Sequence, residues 1–400
     1  MNIFKSFFMG GYECADHINR SGERINLLKE TQHDVRAEQD YTDLLQLGIQ
    51  TVREGVCWSA VETAPYIFDF TEVKNRIQIA DRLGIQQMWD LCHFGYPDSL
   101  YPTHPHFCDR FVALCDAFTT FYKSVSSQQL MVVPVNEISF LSWHSGDVRG
   151  TVPFAVGSGF DIKYHLCKAA ILGINRIKSI NPGCRIVMVE PMVKIHPGAE
   201  PDVNHIYNIN QHQFQAMDII AGRMCPELGG CEDNLDILGF NYYWDSQWEH
   251  GTGALPWPEA EPQRTKVSEM LEAVYKRYKK PIFLSETGHF GIGRAPWIEE
   301  ITHECIKAID NGVELLGACI YPVTDRPDWD NLSRYFDCGI YDLDADKNRI
   351  PDVPTINAIN ESTKVMNYYL AKGFDKEFDT VVPEIEEVMN QLNTTTNEVI

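Results

Sequence analysis

The sequence predicts a single (β/α)8 barrel. Short apolar runs alternate with longer amphipathic stretches, which is the order of parallel βαβ units. The runs are continuously apolar, as strands covered on both faces are. Eight such units occupy about 370 of the 400 residues, the usual span of this barrel with insertions.

The strands are expected in the order "FKSFFMGGY" (4–12), "QTVREGVCW" (50–58), "IQQMWDLCH" (85–93), "LMVVPVNE" (130–137), "CRIVMVEP" (184–191), "LDILGFNYY" (235–243), "PIFLSE" (281–286) and "LLGACIYP" (315–322). Helical periodicity falls between them, near 36–47, 71–84, 107–126, 161–180, 204–223, 265–279 and 296–311. An eighth helix is expected near 354–371, after the last strand. An open doubly wound sheet is the rival arrangement. Against it, "GGYECADHI" after the first strand lacks the G-x-G-x-x-G spacing of a dinucleotide loop. The barrel domain is expected over 1–373, with 374–400 as an acidic and then polar tail that frays.

Composition narrows the partners. With 44% apolar residues and 11% aromatics the chain can bury a large core. A net charge of −22 argues against nucleic acid and anionic membrane as partners. No apolar run is long enough to span a bilayer, and the N-terminal apolar stretch is too short for a signal peptide. The 12 cysteines contain no CxxC pair, so free thiols and a cytoplasmic location are expected. His104 and His106, taken with His93, raise a metal site, but a short H-x-H without a cysteine or carboxylate partner is weak. No metal and no cofactor is expected.

In such a barrel the chemistry gathers at the C-terminal ends of the strands. Those ends carry Glu13, Arg53, His93, Asn136 with Glu137, Asn241 with Tyr243, Glu286, and then Asp325, Asp328 and Trp329. One polar residue there would mean little; the whole series at one end points to a site. Glu137 and Glu286, on the fourth and seventh strands, can face each other across the mouth. Two such carboxyl groups are the machinery of glycoside hydrolysis, and their separation sets the stereochemical outcome. The bland alternatives are a helix cap for Glu137 and a loop ion pair for Glu286.

The ordered set "GGYEC", "VREGVCW", "DLCHFGYP", "VNEIS", "LGFNYY", "LSETG" and "YPVTDRPDW" resembles the family 1 glycoside hydrolases, over about residues 8 to 345. More broadly it resembles the clan of retaining barrel glycosidases. The resemblance implies a β-glycosidase with Glu137 as acid/base and Glu286 as nucleophile. It makes Arg53 and Tyr243 the groups that hold the nucleophile ionised and oriented. Asn136 would bond the sugar 2-hydroxyl and His93 the 3-hydroxyl, while Asp328 and Trp329 would read the 4- and 6-hydroxyls. Glu13 stands where the family has a glutamine, Asp328 where it has a glutamate, and Tyr321 where a tryptophan lies under the glycone. Two acids around one sugar, Glu13 and Asp328, suggest a pocket that prefers neutral or amino sugars to phosphorylated or uronic ones. A glycan-binding barrel without catalysis, or a transglycosidase, is the alternative reading.

Overall fold

The structure, a computed structural model, describes residues 3–198 and 202–372. Eight parallel strands close into one barrel: β1 (Phe8–Gly11), β2 (Thr51–Gly55), β3 (Gln86–Cys92), β4 (Met131–Val135), β5 (Arg185–Pro191), β6 (Ile237–Asn241), β7 (Ile282–Thr287) and β8 (Leu315–Ile320). Each neighbour pairs with the next, and β1 closes on β8 with Phe8 opposite Ala318 and Met9 opposite Cys319. All eight expected strands form, most of them shorter than their apolar runs.

Helices follow the strands as α1 (His33–Gln46), α2 (Thr71–Leu83), α3 (Phe107–Val125), α4 (Gly159–Ile180), α5 (Gln215–Ile220), α6 (Val267–Tyr278), α7 (Arg294–Asp310) and α8 (Val353–Lys372). The stretch expected as one helix at 204–223 is broken instead. A helix Val203–Gln211 and a tight 3-10 turn His212–Phe214 precede the short α5. The tail expected at 374–400 lies outside the described residues.

The period-two alternation of a strand sorts the buried side chains into two cores. Met9, Met88, Met131, Val133, Val187, Val189, Ile237, Phe283 and Cys319 point inward and plug the barrel. Their neighbours, such as Phe8, Val52, Trp89, Val132, Leu238 and Leu284, point outward under the helices. The alternation separates charges as well. On β2 Arg53 faces in, whereas Glu54 faces out to His33 of α1 and Arg76 of α2. That outer carboxylate is buried, and the two cations with Tyr41 compensate it. His33 in turn bonds Asp40, and Asp40 takes a bidentate grip from Arg349. This chain of charges fastens the N-terminal helices to the segment before α8. No helix among the described residues is long and apolar enough to cross a membrane.

Candidate active site

Polar side chains at the C-terminal ends of several strands meet in the mouth. Arg53 is the hub. Its Nη1 donates to Glu286 Oε1 at 2.7 Å, its Nε and Nη2 grip Asp90 at 3.1 and 2.7 Å, and Nη2 also reaches Asn136 Oδ1 at 2.7 Å. One guanidinium thus ties strand ends β2, β3, β4 and β7 together. A buried cation is tolerable because two carboxylates neutralise it and its fork fits both.

Glu286 reaches this hub through an irregularity in β7. The register against β6 slips between Leu284 and Glu286, and it slips again against β8 before Thr287. Such a bulge re-aims a side chain. Beyond it Ser285 Oγ donates to Asn241 Oδ1 at 2.6 Å and Glu286 meets Arg53. Thr287 faces outward, where its hydroxyl accepts from Trp297 Nε1 on α7 at 2.9 Å. Tyr243, just past β6, donates to Glu286 Oε2 at 2.7 Å. Both oxygens of Glu286 are therefore held, and its side chain is buried.

Glu137 is held differently. It sits one residue past the Asn136–Val189 bridge, and its backbone amide donates to Val189 O at 3.0 Å. Its φ of 44° and ψ of 60° place it in the left-handed region, uncommon for a glutamate and a constraint that fixes its direction. Helix Ile138–Gly146 starts immediately after it. Burial, and then the negative charge of Glu286, push the Glu137 carboxyl well above the usual range, with Asn241 acting against the rise. The two carboxylates thus feel each other in one mouth, one anchored by a cation and a phenol, the other left prone to hold a proton.

His93 lies beside the hub. Its Nδ1 contacts Asp90 Oδ2 at 2.7 Å, which leaves Nε2 toward Asn136 Nδ2 at 3.2 Å. Its ring runs parallel to Tyr321, 6.1 Å away. Glu13 is buried next to them, 3.9 Å from His93 Nε2 and 3.4 Å from the Tyr321 hydroxyl. Trp329 sits edge-on to His17 and Phe94, with its indole N–H unpartnered. Asp328 is partly exposed and turned to its own loop, where Oδ1 accepts the Asp330 amide at 2.8 Å. Asp325 bonds the amides of Cys338, Gly339 and Leu343 and so serves the loop rather than the mouth.

Three participants escaped the sequence reading. Asp90 stands inside an otherwise apolar run on β3 and supplies Arg53 with its second carboxylate. Glu190, near the end of β5, accepts the Ser139 amide on both oxygens. Burial pushes its carboxyl up to about 7. Arg326 contacts Glu13 at 3.3 Å, which corrects the expectation of an uncompensated acidic pocket. For Asp90 and Glu190 the signal was a charge where no solvent could reach it.

Cys14, Asp90 and His93 offer ligand atoms within 4.8 Å of one another, the one such group of three among the described residues. Its donors are already engaged. Arg53 and His93 take the Asp90 oxygens, and a buried guanidinium next to the group opposes a second cation. Burial also pushes the Cys14 thiol up, away from the thiolate a metal would need. His104 and His106 belong to no such group; the His106 amide donates to His104 Nδ1 instead. All 12 cysteines are free.

No protein-family model matches this chain, and no curated protein matches it in sequence. Solved structures do. A β-glucosidase from Thermotoga maritima in complex with glucoimidazole superposes with a TM-score of 0.74 at 14% identity, covering 92% of this chain and 99% of that one. The same enzyme in complex with noeuromycin gives 0.72 at 15% identity, with the same coverage. The fold is that of these β-glucosidases. A structure described as the family 1 β-glucosidase from Thermotoga maritima gives 0.69 at 15% identity over 85% of this chain and 87% of that one. The β-glucosidase fold therefore extends over nearly the whole described chain while most side chains differ.

Proposed function

We propose that this protein is a retaining β-glycosidase of the family 1 kind, acting on the terminal sugar of a β-glycoside. The observation that carries the reading is the unequal treatment of two glutamates in one mouth. Glu286 has both oxygens held by Arg53 and Tyr243, whereas burial and the Glu286 charge favour the protonated form of Glu137. One is prepared as a nucleophile and the other as an acid.

In the first step a Glu286 oxygen forms a bond to the anomeric carbon. The glycosidic bond breaks, and its electron pair takes the Glu137 proton as the aglycone leaves. In the second step Glu137, now ionised, removes a proton from water. The resulting oxygen attacks the anomeric carbon and expels Glu286, and the sugar leaves with its configuration kept. Arg53 and Tyr243 orient the carboxylate throughout. Asn136, His93, Glu13, Tyr321 and Trp329 form the pocket for the sugar, while Asp328, expected there, stays with its own loop. The partner is a carbohydrate, and no step calls for a metal or cofactor. The neighbours in complex with noeuromycin and glucoimidazole support a ligand-binding mouth in this fold.

A panel of nitrophenyl α- and β-glycosides tests the reading, with the first-formed anomer followed by NMR. Release of the β-anomer from β-glycosides is expected. First release of the α-anomer would replace retention with inversion. Binding of glycans without turnover would replace the enzyme with a lectin-like barrel, and turnover favouring a sugar acceptor over water would make it a transglycosidase.

A further inference from the structure

Arg326 contacts a residue of the proposed sugar pocket and has no part in the steps above. Its Nε lies 3.3 Å from Glu13 Oε2, and the Glu13 side chain is almost wholly buried. The other oxygen, Glu13 Oε1, accepts the Ala15 amide at 3.1 Å and lies 3.4 Å from the Tyr321 hydroxyl. The guanidinium stands 5.7 Å from the Trp329 ring centre and 5.5 Å from that of Phe336, so two aromatic faces fix its position. The short strands Arg326–Pro327 and Tyr335–Phe336 pair antiparallel and brace it from behind. Arg326 Nη1 donates to the Pro327 carbonyl at 3.1 Å, and Nη2 makes no hydrogen bond to any described residue. More than a quarter of the side chain stays exposed.

A buried carboxylate without a partner would leave the pocket negative and drawn to cations. Arg326 cancels that charge and sets a donor beside the acceptor. We infer that Glu13 and Arg326 form a charge-balanced clamp that selects an uncharged sugar, one hydroxyl donating to Glu13 and a neighbouring oxygen accepting from Arg326. Glu13 opposes a uronate or phosphate, and Arg326 opposes an ammonium. The inference rests on the β-glycosidase reading and deepens it to a class of glycone.

The test uses two charge-removing variants, Glu13→Gln and Arg326→Gln, with the nitrophenyl β-glycosides of glucose, glucosamine and glucuronic acid. The unmodified protein should prefer the glucoside to both charged sugars. Glu13→Gln should raise the kcat/KM ratio of glucuronide to glucoside by about tenfold, because Arg326 is then unopposed. Arg326→Gln should raise the ratio of glucosaminide to glucoside by a similar factor. Ratios taken within one preparation do not depend on how much of a variant folds. Unchanged ratios in both variants, or a charged sugar preferred by the unmodified protein, would overturn the clamp. If none of the three glycosides is turned over, calorimetric binding of the free sugars to the same three proteins reads the same order. The clamp is then judged on binding alone, and the glycosidase reading on the wider panel.

Discussion

Glu190 takes the Ser139 backbone amide on both carboxylate oxygens, at 3.2 and 3.1 Å, two residues beyond Glu137. Glu190 at the start of helix Ile138–Gly146 satisfies an amide that the helix leaves free and, once ionised above about pH 7, suits the positive end of its dipole. It also adds negative charge near Glu137 and helps to raise that carboxyl. Glu190→Gln keeps an acceptor for Ser139 but removes the charge. We expect the alkaline limb of the kcat/KM profile to move to lower pH in this variant, because Glu137 loses its proton sooner. A role confined to structure would lower the amount of active protein and leave the limb in place.

Glu190 also makes a prediction for stability. Its folded pKa, about 7, lies above the ordinary glutamate value of 4.5. Between those values the unfolded chain has released the proton and the folded one has kept it. Stability from this group is therefore complete below about 4.5 and is lost as pH rises through about 7. The loss amounts to roughly 3 kcal/mol, at about 1.4 kcal/mol per pH unit. Glu190→Gln should escape it. Denaturant midpoints at pH 5 and pH 8 should show the variant gaining on the unmodified protein at the higher pH.

Removing the acid should expose the leaving group. Glu137→Ala is expected to slow an alkyl or poorly activated aryl β-glycoside by a factor of roughly 10² to 10⁴, and a dinitrophenyl glycoside far less. Equal losses on both substrates, measured as kcat/KM, would remove Glu137 from the acid role.

Tyr243→Phe deletes one of the two bonds to Glu286. A hydrogen bond to a charged group contributes about 1.5–3 kcal/mol, so activity should fall roughly 10- to 100-fold. Arg53→Met should cost more, since it leaves Glu286 and Asp90 facing each other without their cation. Thermal unfolding separates the two cases: Tyr243→Phe should keep its midpoint and Arg53→Met should not.

The outer charge chain provides a control remote from the mouth. Arg76→Met leaves Glu54 buried with one cation fewer and should cost about 3–5 kcal/mol of stability. Activity per folded molecule should remain, because Glu54 faces away from the barrel interior.

The barrel was legible because parallel strands covered on both sides are apolar through their middles, and β4 shows it without interruption. Glu137, Glu286, Arg53 and Tyr243 were legible as a series, since each ends a strand at the same rim. Asp90 was not, because its neighbours Trp89 and Leu91 made the run read as core. Glu190 closed a strand in the same way and gave no hint that it faces Ser139. The partnership of Glu13 with Arg326 joins the first strand end to the last, and a linear reading has no term for that distance. The bulge that turns Glu286 inward is likewise a property of pairing, invisible until β6 lies beside β7.

The contact from Arg53 to Glu286 spans 233 positions of the chain. As the polypeptide leaves the ribosome, Arg53 meets Asp90 early and waits for its other carboxylate until most of the barrel has been made. The mouth is thus completed late, and loop closure over such a length delays it further. A nascent chain halted before β7 would carry a guanidinium with one of its two carboxylate partners missing and an open seam between β1 and β6. Such an intermediate exposes strand edges to neighbouring chains, a hazard that closure of the barrel removes.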